Sequence, residues 1–241
     1  QTIWLLCAPT LHDVLPTIRS RCRHIGLSTP TNHVVATFLS NFLKVNMNDA
    51  ELAAKIAQGH IGKARYFLTD EISRNNRKKI FEILFSATNE MKALSAAESL
   101  LNLAKERSEI RVGTQNEKEE ADLRLALQGP SRGLISGGAK ALRDLEREQK
   151  ARASRAVKDE IDGYLLDYAT FLRDCLSPED YILNTDLAPQ IRHISTTVPH
   201  ENIAELAFEV NRTREILTTN AAQLLTLEAL FLSLTAINRG H

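Results

Sequence analysis

Leu15-Pro16-Thr17-Ile18-Arg19-Ser20-Arg21-Cys22 is a short basic segment that follows an apolar run, Ile3-Trp4-Leu5-Leu6-Cys7-Ala8, which stops at Pro9. A short continuous apolar run bounded by a proline is typical of a strand buried on both faces of a parallel sheet. The residues from Leu11 to Thr17 favour a short helical turn. The start of the chain therefore predicts a strand, a turn and an exposed cluster of arginines.

Helical periodicity takes over after a second short strand predicted at Ile25 and Leu27. Three helices are expected before residue 69, with Thr31 or Asn32 as the N-cap of the first. Their apolar positions recur at helical spacing: Val34, Val35, Phe38, Leu39, Phe42, Leu43, Leu52, Ala53, Ile56, Ala57, Ala64, Phe67 and Leu68. Asn48 or Asp49 is expected to cap the second helix, which ends at Gly59.

Everything recognisable after about Ser73 is helical. The five predicted helices are Lys78 to Ser86, Glu90 to Lys105, about Gly138 to Cys175, Glu201 to Thr218, and Ala221 to Asn238. Between Glu106 and Gly138 the periodicity is lost and glycines recur, which predicts a mobile loop. The fold class is therefore mainly α, with one or two strands at the start.

Composition excludes several classes of protein. The 241 residues contain 30 Lys plus Arg and 30 Asp plus Glu, so no whole-chain charge attracts nucleic acid or an anionic membrane. Three scattered cysteines without a C-x-x-C pair exclude a structural zinc site and indicate a reducing cytoplasm. The apolar stretch Ala221 to Ile237 is interrupted by polar residues and predicts a packed helix, with no membrane partner. Because residue 1 is Gln, we expect a piece of a longer chain.

The sequence L-P-T-I-R-S-R-C after an apolar strand resembles the Ser-Arg-Cys motif of the clamp-loader branch of AAA+ ATPases. This resemblance implies that residues 1–28 are the end of an AAA+ α/β core, with the sensor 1 strand. It also implies that residues 29–72 are a three-helix lid. Residues 73–241 would then be a helical collar through which subunits assemble, with a mobile insertion at about 106–137.

The resemblance gives Arg21 the role of an arginine finger that acts in trans on the ATP of a neighbouring subunit. Ser20 and Cys22 would support the motif, with Cys22 packed underneath. Further candidates for nucleotide contact are Arg19, Arg23, Thr10 and Lys63. A guanidinium suits this chemistry because it is planar and permanently charged, and because phosphoryl transfer develops charge on the γ-phosphate oxygens.

Two features imply that an ATP site in this chain itself would be impaired. Pro9-Thr10 stands where ATP-hydrolysing relatives end the strand with a polar sensor residue, and Gly62 stands where they carry the sensor 2 arginine. No G-x-x-x-x-G-K-[ST] loop is present in the sequence. The resemblance thus implies no cofactor or metal bound by this chain, with ATP–Mg held by the adjacent subunit. Implied partners are other clamp-loader subunits of the gamma/tau and delta types, the sliding clamp and, indirectly, primer-template DNA.

Two alternatives remain open on the sequence. The chain could belong to an ATP-hydrolysing clamp-loader subunit of the gamma/tau type, or to a helical interaction module with no link to ATP.

Other charged residues have simple interpretations. Asp159 and Glu160, like Glu119 and Glu120, are expected to lie on solvated helix faces. The cations Arg143, Arg147, Lys150, Arg152 and Arg155 are interleaved with acids, which favours a salt-bridged helix surface over a nucleic-acid stripe.

Overall fold

A computed structural model describes residues 2–8, 11–57, 59–69, 71–127 and 137–238. Ten α-helices lie in these ranges, and we number them in chain order: α1 Pro16–Arg19, α2 Asn32–Leu43, α3 Met47–Ala57, α4 Ile61–Thr69, α5 Glu71–Ser86, α6 Glu90–Ala126, α7 Gly138–Cys175, α8 Ala188–Thr197, α9 His200–Thr218 and α10 Gln223–Asn238. Short 3-10 helices occur at Leu11–Asp13, Glu179–Tyr181 and Thr185–Leu187. The prediction of a mainly α fold is confirmed.

Neither predicted strand forms in the described part of the chain. Ile3, Trp4 and Leu5 are 82–88% exposed, and Ile25 and Leu27 are also largely exposed. A parallel strand needs neighbouring strands to bond its backbone and helices to cover both faces. The described residues supply neither of these, so the apolar run does not form a strand.

Helices α2, α3 and α4 enclose a small core of eight buried residues: Val35, Ala36, Leu39, Ala50, Ala53, Ala54, Ala57 and Ala64. The predicted cap at Thr31 is confirmed, since its Oγ1 accepts from the amide of Val34 at 3.4 Å. The predicted cap of α3 at Asn48 or Asp49 is wrong. Asn46 caps this helix instead, because its Oδ1 accepts from the amide of Asp49 at 2.8 Å.

Gly59 takes a positive φ of 85° between α3 and α4, which L-residues with a side chain rarely adopt. A β-carbon at this position would lie 2.5 Å from the Thr29 methyl group. The sequence-based end of the second helix near Gly59 is therefore confirmed, and glycine is required there on two grounds. His60 then precedes α4 and caps its first turn, because its Nδ1 accepts from the Lys63 amide at 3.0 Å.

Helices α5 to α10 share a second and larger core. At its centre Tyr168 stacks on Phe171 with ring centroids 5.8 Å apart, and Phe81 lies 5.6 Å from Phe171. Helices α6 and α7 run antiparallel along this core and beyond it, because Asn116 meets Gln149 and Arg152 while Arg111 meets Ala156. No helix in the described ranges combines the length and the apolar character that a membrane span needs.

The mobile loop predicted from residue 106 is wrong as far as Ala126, since α6 continues to that residue without a break. The apolar periodicity is lost because no residue of α6 after Ser108 is buried. Polar pairs stabilise the helix there instead, and they include Glu120 with Arg124 at 2.7 Å and Glu119 with Arg152 at 2.8 Å. The remainder of the predicted insertion, residues 128–136, lies outside the described residues. Helix α8 was not predicted.

Candidate functional site

The candidate site is the basic turn, residues 19 to 23, which begins at the end of α1. Pro16 starts this helix at a position where its missing N–H costs nothing. Ser20 is the C-cap, its amide donates to the carbonyl of Pro16 at 3.0 Å, and its Oγ donates to the carbonyl of Thr17 at 3.2 Å. The amide of Arg21 donates to the carbonyl of Ile18 at 3.0 Å. The backbone of the turn is therefore hydrogen-bonded within itself.

The three guanidinium groups of the basic turn are all presented to solvent. Arg19, Arg21 and Arg23 are exposed, and none of them forms an ion pair with an acidic side chain of the described residues. Guanidinium groups that have no acidic partner in their own chain are available to a phosphate or carboxylate on another molecule. The turn can therefore act as an anion-contacting element.

Cys22 is exposed and does not pack beneath the turn, so that part of the prediction is wrong. The described residues include no sheet against which the cysteine could be buried. Ser20 does support the turn through its hydrogen bond, as expected. Thr10 lies outside the described residues.

Lys63 forms an ion pair with an acid of a distant helix. Its Nζ contacts Asp167 Oδ1 at 2.5 Å, which joins α4 to α7. Gly62 lies in the first turn of α4 and is exposed. The ammonium of Lys63 is thus engaged with an acid of its own chain.

A buried polar junction, which the sequence analysis did not identify, surrounds this contact. Arg77 is 7% exposed, and its Nη1 lies 3.5 Å from Asp167 Oδ2. Its Nε donates to Asp186 at 3.0 Å, and its Nη2 donates to Asn184 at 2.6 Å. The guanidinium also lies 5.0 Å from the ring centre of Phe81. These contacts connect α4, α5, α7 and the segment before α8.

The position of Arg77 gives a signal that could have revealed this junction. Arg77 precedes Phe81 and Leu84 by four and seven residues, so it shares the buried face of α5. Asp167 lies three residues after Tyr164 and four before Phe171, on the buried face of α7. A charged residue at an apolar helical position in each of two helices indicates a buried ion pair.

Three further ionisable groups with raised pKa values lie in the core. No group of three His, Cys, Asp or Glu side chains able to hold a metal occurs among the described residues. Burial raises the pKa of the Tyr164 and Tyr168 phenols and raises the pKa of the Cys175 thiol to about 12. These three groups therefore stay protonated at neutral pH, as in an ordinary packed core.

Asp159 and Glu160 both lie near Arg111 instead of being purely solvated.

Comparison with protein-family models, with curated proteins and with solved structures gave no match for this chain.

Proposed function

We propose that this chain is part of a sliding-clamp loader subunit, similar to the delta-prime subunit of bacterial DNA polymerase III. In this proposal Arg21 enters the ATP site of an adjacent subunit. The chain then binds no nucleotide itself, and ATP–Mg belongs to the neighbour. It belongs to a cytoplasmic replisome assembly that contains a DNA-directed DNA polymerase, without a catalytic activity of its own.

The observation that carries the proposal is the exposed guanidinium of Arg21, which forms no ion pair with an acid of the described residues. Side-chain entropy opposes the docking of an arginine, and the hydrogen bonds of the turn lower the backbone part of that cost. The Arg21 guanidinium would donate two parallel N–H bonds to the γ-phosphate oxygens and stabilise the charge that develops on them. The order of parts, with a basic turn before one small helical unit and one large one, also agrees with the proposal.

The test is Arg21→Ala in a clamp loader reconstituted from all its subunits. An arginine finger contributes about three to five orders of magnitude in rate, so hydrolysis should be nearly abolished at the single site that Arg21 enters. The ATPase rate of the whole ring, stimulated by clamp and DNA, should therefore fall by the fraction of the total rate that this one site contributes. Arg21→Lys should recover little, because an ammonium cannot form the bidentate fork.

Two controls make the ATPase result specific. Lys92→Ala removes an equally exposed cation of α6 and should leave hydrolysis unchanged. Gel filtration should show that the Arg21→Ala ring still assembles. An assembled ring with unchanged ATPase would refute the role of Arg21, and failure to assemble with clamp-loader subunits at all would favour a helical interaction module.

An ATP-hydrolysing subunit is disfavoured by the contact of Lys63. This residue is the nearest cation to Gly62 in the sequence, but its ammonium is paired with Asp167 across the junction. It cannot replace the sensor 2 arginine without breaking that pair. Titration of the protein with a fluorescent ATP analogue tests this point, and micromolar binding would support the ATP-hydrolysing alternative.

A further inference from the structure

The first half of α7 carries a basic stripe, which consists of Lys140, Arg143, Arg147 and Lys150. An α-helix turns by about 100° per residue, so these four residues fall within an arc of about 80° on one side of the helix. All four are exposed. The acids that interrupt them in sequence lie outside this arc.

Few ion pairs neutralise this part of α7, contrary to the salt-bridged surface that the interleaved sequence favoured. Among its cations only Arg152 is paired, with Glu119 at 2.8 Å and Glu148 at 3.5 Å. The stripe residues lie beyond 4.0 Å from any acidic side chain of the described residues, including their neighbours Asp144 and Glu146. Exposed pairs one helical turn apart contribute only about 0.3–0.5 kcal/mol, so they would compete poorly with a polyanion.

Charge is therefore concentrated locally in a chain that is neutral as a whole. From residue 140 to residue 158 there are seven Lys and Arg against three Asp and Glu, a net charge of +4 (7 minus 3). The stripe from Lys140 to Lys150 is about 15 Å long at 1.5 Å per residue. Duplex DNA presents about nine phosphate charges along that length of its axis.

We propose that this face of α7 binds the phosphate backbone of double-stranded nucleic acid without sequence preference. The lysines and arginines of the stripe are residues that commonly contact phosphate oxygens. The stripe contains no Asn or Gln, which are the residues that read adenine edges in the major groove. Unpaired bases would need aromatic side chains on which to stack, and residues 137 to 158 contain none. The inference uses only the stripe and is independent of Arg21.

An anionic membrane is the less suitable partner for the same charges. Helices that bind at membrane surfaces place large apolar side chains next to their basic face. The residues beside the stripe include Ala139, Asp144 and Glu146, and none of these can insert into acyl chains. The charge and polarity of this face therefore favour a nucleic-acid backbone.

The test is the fluorescence anisotropy of a labelled 20-base-pair DNA duplex titrated with the protein at several KCl concentrations. Four phosphate contacts predict a slope of about −3 to −4 for log affinity against log salt, which is about a hundredfold loss from 50 to 200 mM. The triple variant Arg143→Ala, Arg147→Ala, Lys150→Ala should bind at least tenfold more weakly at 50 mM. Its slope should be shallower by about one for each contact removed.

A charge-matched control separates the stripe from general electrostatic attraction. The variant Lys79→Ala, Lys92→Ala, Lys105→Ala removes three exposed cations from α5 and α6 and should bind as the unchanged protein does. Circular dichroism should show the same helix content in all three proteins, since the substituted side chains are exposed. Equal losses in both variants, or no DNA binding at 50 mM, would overturn the proposal. So would stripe-dependent binding to vesicles of phosphatidylserine and phosphatidylcholine without binding to DNA.

Discussion

Asp167 offers the sharpest test of how the two helical cores are connected. Its carboxylate contacts Lys63 Nζ at 2.5 Å and Arg77 Nη1 at 3.5 Å, and its side chain is only 11% exposed. Asp167→Asn keeps the shape of the side chain but removes the charge. The buried guanidinium of Arg77 then faces an amide, while Lys63 loses the acid that joins α4 to α7.

The expected loss follows from the burial of this pair. Removing one member of a buried ion pair destabilises a protein by about 3–5 kcal/mol. Arg77 keeps its bond to Asp186 at 3.0 Å, and the side chain of Lys63 is 36% exposed, so part of that cost is avoided. We therefore expect Asp167→Asn to lower the free energy of unfolding by about 2 kcal/mol, and Asp167→Ala by about 3 kcal/mol.

Urea unfolding followed by circular dichroism measures this loss. Fluorescence of the single tryptophan is a poor probe, because Trp4 is 82% exposed in the folded protein. The control is Asp159→Asn on the same helix, whose 70% exposed carboxylate lies 3.7 Å from Arg111 and should contribute less than about 0.5 kcal/mol. If Asp167→Asn is no more destabilising than Asp159→Asn, the junction does not hold the two cores together.

Three further outcomes follow from the structure. Iodoacetamide at pH 8 should label the exposed Cys7 and Cys22. Cys175 should stay unlabelled, because burial raises the pKa of its thiol to about 12 and keeps it protonated. Mass spectrometry should therefore find two labels in the folded protein and three in urea. Asn46→Ala should cost about 1 kcal/mol through loss of the α3 cap, which faster hydrogen exchange of the α3 amides would reveal. Gly59→Ala should cost more than about 1 kcal/mol in urea unfolding, and an unchanged midpoint would contradict the strain inferred from its φ of 85°.

The helices of the larger core other than α8 could be predicted because their apolar residues recur at helical spacing. Helix α7 was predicted with both its ends, from Gly138 to Cys175. The end of α6 was not, because none of its residues after Ser108 is buried, so the sequence shows no apolar face there. The predicted cap of α3 was wrong by two or three residues, since Asn46, Asn48 and Asp49 are equally good cap residues by type and only the backbone selects among them.

The strands at the start failed for a different reason. Apolar content shows that Ile3 to Leu6 would favour burial, but it does not show that a sheet is present to bury them. The basic turn could be identified because its residues are adjacent in sequence. The junction joins Lys63, Arg77 and Asp167 over about a hundred residues, and short motifs do not reveal such contacts.

Six of the eight residues that form the core of α2, α3 and α4 are alanines. Each buried methyl group contributes little to the hydrophobic stabilisation of this core, so these helices should open at a lower free energy than α6 and α7 do. The basic turn precedes this weakly stabilised unit in the chain. A partner that engages Arg21 and also contacts α2 to α4 only when they are folded would therefore raise their stability by mass action. Slower hydrogen exchange of the α2 to α4 amides would then show what fraction of the protein has bound that partner.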